Sequence, residues 1–225
     1  MSFRHEIKIP INSFDRVVLS SRLSACLPRD VNAGPDGSYL IRSLYFDTPY
    51  DTALREKLAG VDRREKFRIR IYNGCADGRI MLEKKVKVNG LSGKENAVLT
   101  IQECRMLLAG EYSWMARDER TVLNELYIKI KTTMLSPKTI IEYKREAFTY
   151  LPCNIRITID SDIRTGLFSS ELFKRELPLV PAADGFIVME VKYDTFIPDF
   201  ITDILRIGSR GQAACSKYTI GRRFG

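Results

Sequence analysis

The side chains best suited to chemistry in this chain are charged residues that recur at every second position. They are Glu6 and Lys8, Arg68 and Arg70, Glu83 and Lys85, and Glu190 and Lys192. Apolar residues often fill the alternate places, such as Ile7 and Ile9, Phe67, Ile69 and Ile71, or Met189 and Val191. A period of two belongs to an extended strand, whose side chains point to opposite faces in turn. Two arrangements satisfy such strands. An open antiparallel sheet turns the charged face to water. A closed sheet turns it inward, where unpaired charge is too costly to leave without counter-ions. Solvated faces mix Ser, Thr and Gln with Lys and Glu, whereas arginine and lysine dominate here, which favours closure. Arginine forks then suit phosphate oxygens, lysine supplies a compact charge, and the glutamates offer hard oxygen ligands for magnesium or manganese. No Gly-rich loop of the form G-x-x-x-x-G-K occurs, so side chains would have to hold the phosphates.

The same periodicity outlines the elements that position these pairs. Residues 3–11 alternate as a strand, with Arg4, Glu6 and Lys8 on one face. Asn12 or Ser13 caps a helix to about Leu27, buried roughly through Phe14, Val17, Leu19, Leu23 and Leu27. Residues 39–47 form a strand, and Thr48-Pro49 opens a helix that Gly60 closes. Strands at 64–72 and 79–88 flank a turn marked by Asn73-Gly74 and Asp77-Gly78, and Asn89-Gly90 ends the second. Thr100-Ile101-Gln102-Glu103 is a capping box with Gly110 as its stop, and a further helix runs from about Arg117 to Lys129. Strands follow at 138–149, 154–161 and 185–193, then a helix from Pro198 to about Ile207 and a tail holding Ser216-Lys217-Tyr218. Strands dominate, mostly in hairpin order. The expected class is α+β, mainly β, an antiparallel sheet or closed barrel decorated with helices, in one domain over 1–225.

Composition narrows the chemistry. The 225 residues are 44 % hydrophobic and 28 % charged, the profile of a folded globular chain. No apolar run approaches the roughly 20 residues needed to span a membrane. The first residues show no signal-peptide pattern, so a cytoplasmic location is expected. The five cysteines, Cys26, Cys75, Cys104, Cys153 and Cys215, are scattered and odd in number, against a disulfide framework or zinc knuckle. His5 is the only histidine, which excludes mechanisms that need several imidazoles. The net charge of +8 favours an anionic partner, whether nucleic acid, an acidic membrane surface or a polyanionic small molecule.

In their order along the chain, several segments resemble the VTC (vacuolar transporter chaperone) domain of polyphosphate polymerases. They are Ser43-Leu44-Tyr45-Phe46-Asp47-Thr48, Phe67-Arg68-Ile69-Arg70-Ile71-Tyr72, Leu82-Glu83-Lys84-Lys85, Tyr143-Lys144-Arg145-Glu146-Ala147-Phe148, Arg156-Ile157-Thr158-Ile159-Asp160, Met189-Glu190-Val191-Lys192-Tyr193 and Ser216-Lys217-Tyr218. The resemblance implies the triphosphate tunnel fold, a closed eight-stranded antiparallel β-barrel with helices around it. It implies transfer of the ATP γ-phosphate onto a growing inorganic polyphosphate, helped by a divalent metal, Mn2+ or Mg2+. Phosphate binding would fall to Lys8, Arg68, Arg70, Lys85, Arg145, Arg156 and Lys192, and metal binding to Glu190 and Glu83. Lys217 would sit at the transferred phosphate, with Arg68 and Arg70 assisting. The first strand lacks the extra leading glutamate of the related CYTH pattern, which leans away from thiamine triphosphatase and adenylate cyclase. The inositol-phosphate-sensing domain and membrane helices of the larger eukaryotic proteins of this kind are absent from this sequence, and a membrane-protein partner is left open. Hydrolysis of tripolyphosphate or a nucleoside triphosphate in the same tunnel, or non-catalytic binding of polyphosphate, are the competing readings. Nucleic acid is not expected, because Tyr45, Tyr72 and Tyr143 stand singly rather than as a stacking platform.

Overall fold

The strands that alternate in sequence alternate in space, and closure of the sheet decides which face becomes the inside. A computed structural model of the chain describes residues 3–74, 78–208 and 210–223; Cys75 and the turn residue Asp77 lie outside them. Eight antiparallel strands close into a barrel, in the order β6 (Ser136–Tyr150), β2 (Ser38–Asp47), β3 (Arg64–Tyr72), β4 (Ile80–Val88), β5 (Leu91–Leu99), β1 (Phe3–Ile11), β9 (Ile187–Tyr193) and β7 (Ile155–Thr165). β7 pairs back onto β6 to complete the ring, and a short β8 (Val180–Pro181) adds to the outer side of β7. The barrel form of the expected fold is the one observed.

Residues opposite each other in an antiparallel pair share a face. Lys8 lies opposite Glu190, Arg68 opposite Glu83, Lys85 opposite Lys94, and Arg145 opposite Asp160. These are the charged faces, and they turn inward. Most apolar faces turn outward, so two hydrophobic clusters lie around the barrel, while a third, with Ile41, Tyr45, Ile141, Tyr143 and Tyr218, shares the inward face with the charges. Outside β2 to β5, Leu44, Phe67, Ile69 and Leu82 pack against Leu107 of α3 (Ile101–Leu108) and Leu123 and Leu126 of α4 (Thr121–Thr133). Outside β7 and β9, Ile157, Ile159 and Met189 pack against Leu19 and Leu23 of α1 (Ser13–Cys26) and Ile201 of α5 (Asp199–Leu205). Two helix starts are those expected: reciprocal capping boxes join Asn12 to Asp15 and Thr100 to Glu103.

Several expectations are corrected. β5 carries no alternating apolar signal, yet Asn89 and Gly90 both have positive φ and return the chain from Val88 to Leu91 as a two-residue hairpin turn. Asn89-Gly90 therefore joins two strands rather than only ending one. Phe14 and Val17 are exposed on α1, because Leu19, Leu23 and Leu27 already fill the space over β7 and β9. Thr48 is not at the N-cap position of the next helix, which Asp51 holds, yet its hydroxyl accepts the Thr52 backbone amide at 3.2 Å. α2 (Thr52–Leu58) starts three residues after Pro49, and the Asp47 carboxylate receives the backbone amides of Ala53 and Leu54. The tail forms an unexpected helix, α6 (Lys217–Gly221).

One buried ion pair on the outer face fixes the long segment after β7. Arg42 pairs with Glu142 at 2.6 Å and donates to the carbonyls of Leu172 and Lys174 at 3.2 and 2.6 Å. Arg42→Ala strands a buried carboxylate and two carbonyls, and should lower stability by about 3–5 kcal/mol in urea denaturation with little change of slope.

Candidate functional site

The barrel interior holds a cavity of about 760 Å³. Its polar lining comes from strands far apart in sequence and from the C-terminal segment. Of the residues expected to form the site, Lys8, Arg68, Arg70, Lys85, Arg145, Glu190, Lys192 and Lys217 all line this one cavity. Arg156 does not line it. It lies further along β7, where its guanidinium pairs with Asp30 and donates to the Tyr39 hydroxyl at 3.0 Å. Glu83 lies beneath the lining, 1 % exposed.

The charges are organised as three knots, each centred on carboxylate. In the first, Glu83 takes Arg68 at 2.6 Å, Lys94 at 2.9 Å and Arg70 at 3.6 Å. Burial by itself would raise the Glu83 pKa, but these three cations hold it well below the usual carboxylate range. In the second, Lys8 bridges Glu6 at 2.5 Å and Glu190 at 3.4 Å, while Lys85 joins Glu6 at 2.7 Å and Lys192 joins Glu190 at 2.8 Å. Burial opposes the ionisation of Glu190 too, and Lys192, Lys8 and Lys85 overcome it. In the third, the Arg145 guanidinium grips Asp160 with two bonds of 2.6 and 2.7 Å, and Lys217 adds a contact of 2.5 Å to the same carboxylate. Each knot carries more cations than carboxylates: three against one at Glu83, three against two at Glu6 and Glu190, and two against one at Asp160. The inside of the barrel is therefore positive even after its own carboxylates are counted, and it calls for bound anions.

Lys66 adds to this excess. It has no carboxylate partner within ion-pair distance among the described residues, and its ammonium lies 5.0 Å from the Tyr218 ring centre. Burial, with help from the Arg64 guanidinium, pushes its pKa down to about 7. The charged patterns of β1, β3, β4 and β9 could be read from the sequence, but Lys66, Lys94, Glu6 and Asp160 were not assigned to the site. Lys66 and Asp160 had a usable signal, since each shares a strand face with an expected arginine. Lys94 had none, because its strand is silent in sequence.

The donor set was tested for a divalent metal. Glu6 and Glu190 fit one: they approach the same ammonium from adjacent strands, so a small cation could be held by both. Glu83 fits less well, because it lies beneath the cavity lining; cations already meet every oxygen of all three carboxylates, so a metal at Glu6 and Glu190 would have to displace lysine ammonium groups. Among the described residues no group of three or more His, Cys, Asp or Glu side chains is arranged to hold a metal ion.

A phosphate chain entering this cavity should restore the charge of Lys66. At pH 8 the neutral form of a group with pKa near 7 prevails; an adjacent anion raises that pKa, and the group takes up a proton. Calorimetric titration with tripolyphosphate at pH 8, in buffers of different ionisation enthalpy, should register net proton uptake, and Lys66→Met should remove part of it, the rest coming from Lys85, whose pKa burial and the neighbouring Lys8 also push down to about 7. In stability the sign is the same. The cost of a buried Lys66 ammonium is fully present below pH 7 and is relieved as pH rises from about 7 toward 10.5.

The comparisons with known proteins can be set beside this geometry. The family description "VTC domain" matches residues 3–224. No curated protein matches the chain. Among solved structures, a candidate adenylate cyclase from Bacillus halodurans aligns at 16 % identity and TM-score 0.46, over 85 % of this chain and 82 % of that one. One from Vibrio parahaemolyticus aligns at 12 % identity and TM-score 0.47, over 90 % and 82 %. The protein PH1819 from Pyrococcus horikoshii OT3 aligns at 11 % identity and TM-score 0.42, over 89 % and 84 %. Likenesses this distant transfer no activity. No helix among the described residues is long and apolar enough to cross a membrane. With the family match spanning nearly every residue, this chain belongs to the VTC domain family.

Proposed function

We propose that the chain is an ATP-dependent polyphosphate polymerase, moving the γ-phosphate of ATP onto a growing inorganic polyphosphate within the barrel. The observation that carries this reading is the surplus of cations over carboxylates in each knot lining the cavity. An environment of this kind favours a ligand of dense, repeating negative charge. Phosphoryl transfer also asks a protein chiefly for positioning and charge stabilisation, which fixed guanidinium and ammonium groups supply.

In this reading Arg68, Arg70 and Arg145 hold the triphosphate, with their forks already oriented by Glu83 and Asp160. Lys8, Lys85 and Lys192 neutralise neighbouring phosphates. Arg156 stays with Asp30 and Tyr39. Glu190 and Glu6 would hold the divalent metal, which when bound supplies charge neutralisation at phosphate oxygens; Glu83 serves as counter-ion instead. An oxygen of inorganic phosphate or of the polymer end forms the new bond to the γ-phosphorus, the bond from the γ-phosphorus to its β-bridging oxygen breaks, and ADP leaves with that electron pair. The attacking oxygen is already ionised, so no general base is needed, in keeping with a cavity lacking histidine. Lys217, at the edge of the Arg145–Asp160 knot, neutralises charge on the transferred group.

Incubation with ATP and Mn2+, followed by sizing on a gel, tests this directly. Long chains support the reading. Released phosphate without polymer would make the protein a hydrolase, and neither product would make it a binder. Lys217→Ala should lower the rate by roughly 100-fold or more while leaving the unfolding midpoint near that of the wild type. Glu190→Gln should raise the Mn2+ concentration needed for half-maximal rate, whereas Glu83→Gln should chiefly weaken triphosphate binding by freeing Arg68 and Arg70 from their anchor.

A further inference from the structure

Lys217 has a problem of placement. It is the first residue of a five-residue helix, too short to be stable by itself. Its partner Asp160 cannot set its position alone, because the same carboxylate already accepts two bonds from Arg145. Something outside the charged knot must seat α6.

The next residue supplies it. Tyr218 is 1 % exposed, and its hydroxyl donates to Asp47 Oδ2 at 2.6 Å. Burial and this bond to a carboxylate raise the phenol pKa, so the proton stays on the tyrosine. Asp47 is fully buried at the end of β2. Its other bonds come from the backbone amides of Thr48, Ala53 and Leu54 at 2.8, 2.9 and 3.2 Å, so the same carboxylate also fixes the start of α2. The Tyr218 ring stacks on Tyr45 at 5.2 Å between centroids, and the Tyr45 hydroxyl accepts from Arg68 at 2.9 Å. At the far end of α6, a Cβ on Gly221 would meet Ile141 Cδ1 at 1.9 Å, so the helix fits only when seated tightly against β6.

We infer that the buried Asp47–Tyr218 hydrogen bond seats α6 and thereby sets the position of Lys217, making Asp47 and Tyr218 positioning residues that act through that lysine. The inference rests on the reading of Lys217 as a phosphate-contacting group. It adds that the register of α6 is transmitted from a carboxylate outside the cavity lining. The removal of one hydroxyl, in Tyr218→Phe, should loosen Lys217 without touching any other cation of the knots.

The test uses the full chain and a water-soluble acylating reagent, with mass spectrometry reading modification lysine by lysine. In Tyr218→Phe the labelling rate of Lys217 should rise roughly tenfold, the order expected for a lost hydrogen bond to a charged acceptor. Lys84, paired with Glu65 and Glu125 on the outer face, should label as in the wild type. Tripolyphosphate affinity, by titration calorimetry, should fall in Tyr218→Phe and in Lys217→Ala, and the double variant should lose no more than Lys217→Ala alone. Asp47→Asn, whose remaining oxygen can still accept the Thr48 and Ala53 amides while its amide nitrogen faces the Tyr218 hydroxyl, should reproduce the Lys217 labelling. An unchanged Lys217 rate, an equal rise at Lys84, or losses that simply add in the double variant would overturn the inference. Failure of the wild type to make polymer would instead count against the polymerase reading while leaving the labelling result in force.

Discussion

A barrel whose inner face carries this much charge can use only part of its inside as a core, and the rest of this architecture follows from that. Burial of apolar surface is the main favourable term in folding, so most of it must come from elsewhere. Here it comes from the outer face of the strands, where Ile69, Leu82, Ile157 and Met189 meet α1, α3, α4 and α5. The helices between strands are therefore the other half of a hydrophobic core turned inside out. The rest of the interior is left free for charge, and its geometry is held by carboxylates that orient the cations without neutralising them fully.

That division of labour explains how the site is assembled. Its groups come from β1, β3, β4, β5, β6, β7 and β9 and from α6, and β4 links two knots through Glu83 and Lys85. The β1–β9 pair brings Glu6 beside Glu190 and the β6–β7 hairpin brings Arg145 beside Asp160, and closure of the ring turns all the knots onto one cavity. The rigidity of the ladder lets arginine forks stand ready without a ligand, which lowers the cost of ordering them on binding. Membership of the VTC domain family is consistent with such a tunnel, and the match over residues 3–224 includes both the first strand and the terminal helix.

The sequence carried the faces of the strands but not their closure. Glu6 and Lys8, or Arg68 and Arg70, fall on one face because the period of two is a local property. Whether that face meets water or other strands is set by pairing between β1 and β9, which no local pattern records. β5 escaped because Leu91-Ser92-Gly93-Lys94-Glu95-Asn96-Ala97-Val98-Leu99 has too few alternating apolar positions; it is held as a strand by β4 through the Asn89-Gly90 turn. α6 escaped because a five-residue helix has no room for a helical repeat, and its stability comes from Tyr218, Gly221 and their tertiary contacts. The assignment of Glu83 as a ligand could not be distinguished in sequence from that of Glu190. The two differ in their neighbours, Glu190 lining the cavity and sharing Lys8 with Glu6, Glu83 lying beneath the lining among Arg68, Arg70 and Lys94, and this is a property of register.

The seam between β1 and β9 also bears on how the chain reaches this state. β1 pairs with β5 over only Phe3 and Arg4, whereas its ladder with β9 runs from His5 to Ile11. During synthesis the first strand made thus waits with most of its hydrogen-bonding edge open until almost every other strand has appeared. A pairing so distant in sequence is slow, since loop-closure entropy is lost before the contact repays it. In that interval the edge, with Ile7 and Ile9 beside it, is a template for pairing with another chain. The kinetic weak point of this barrel is therefore its first strand, and Glu6 and Lys8, which serve the cavity in the finished protein, join Arg4 as the kind of charges that guard an open edge against aggregation in the unfinished one.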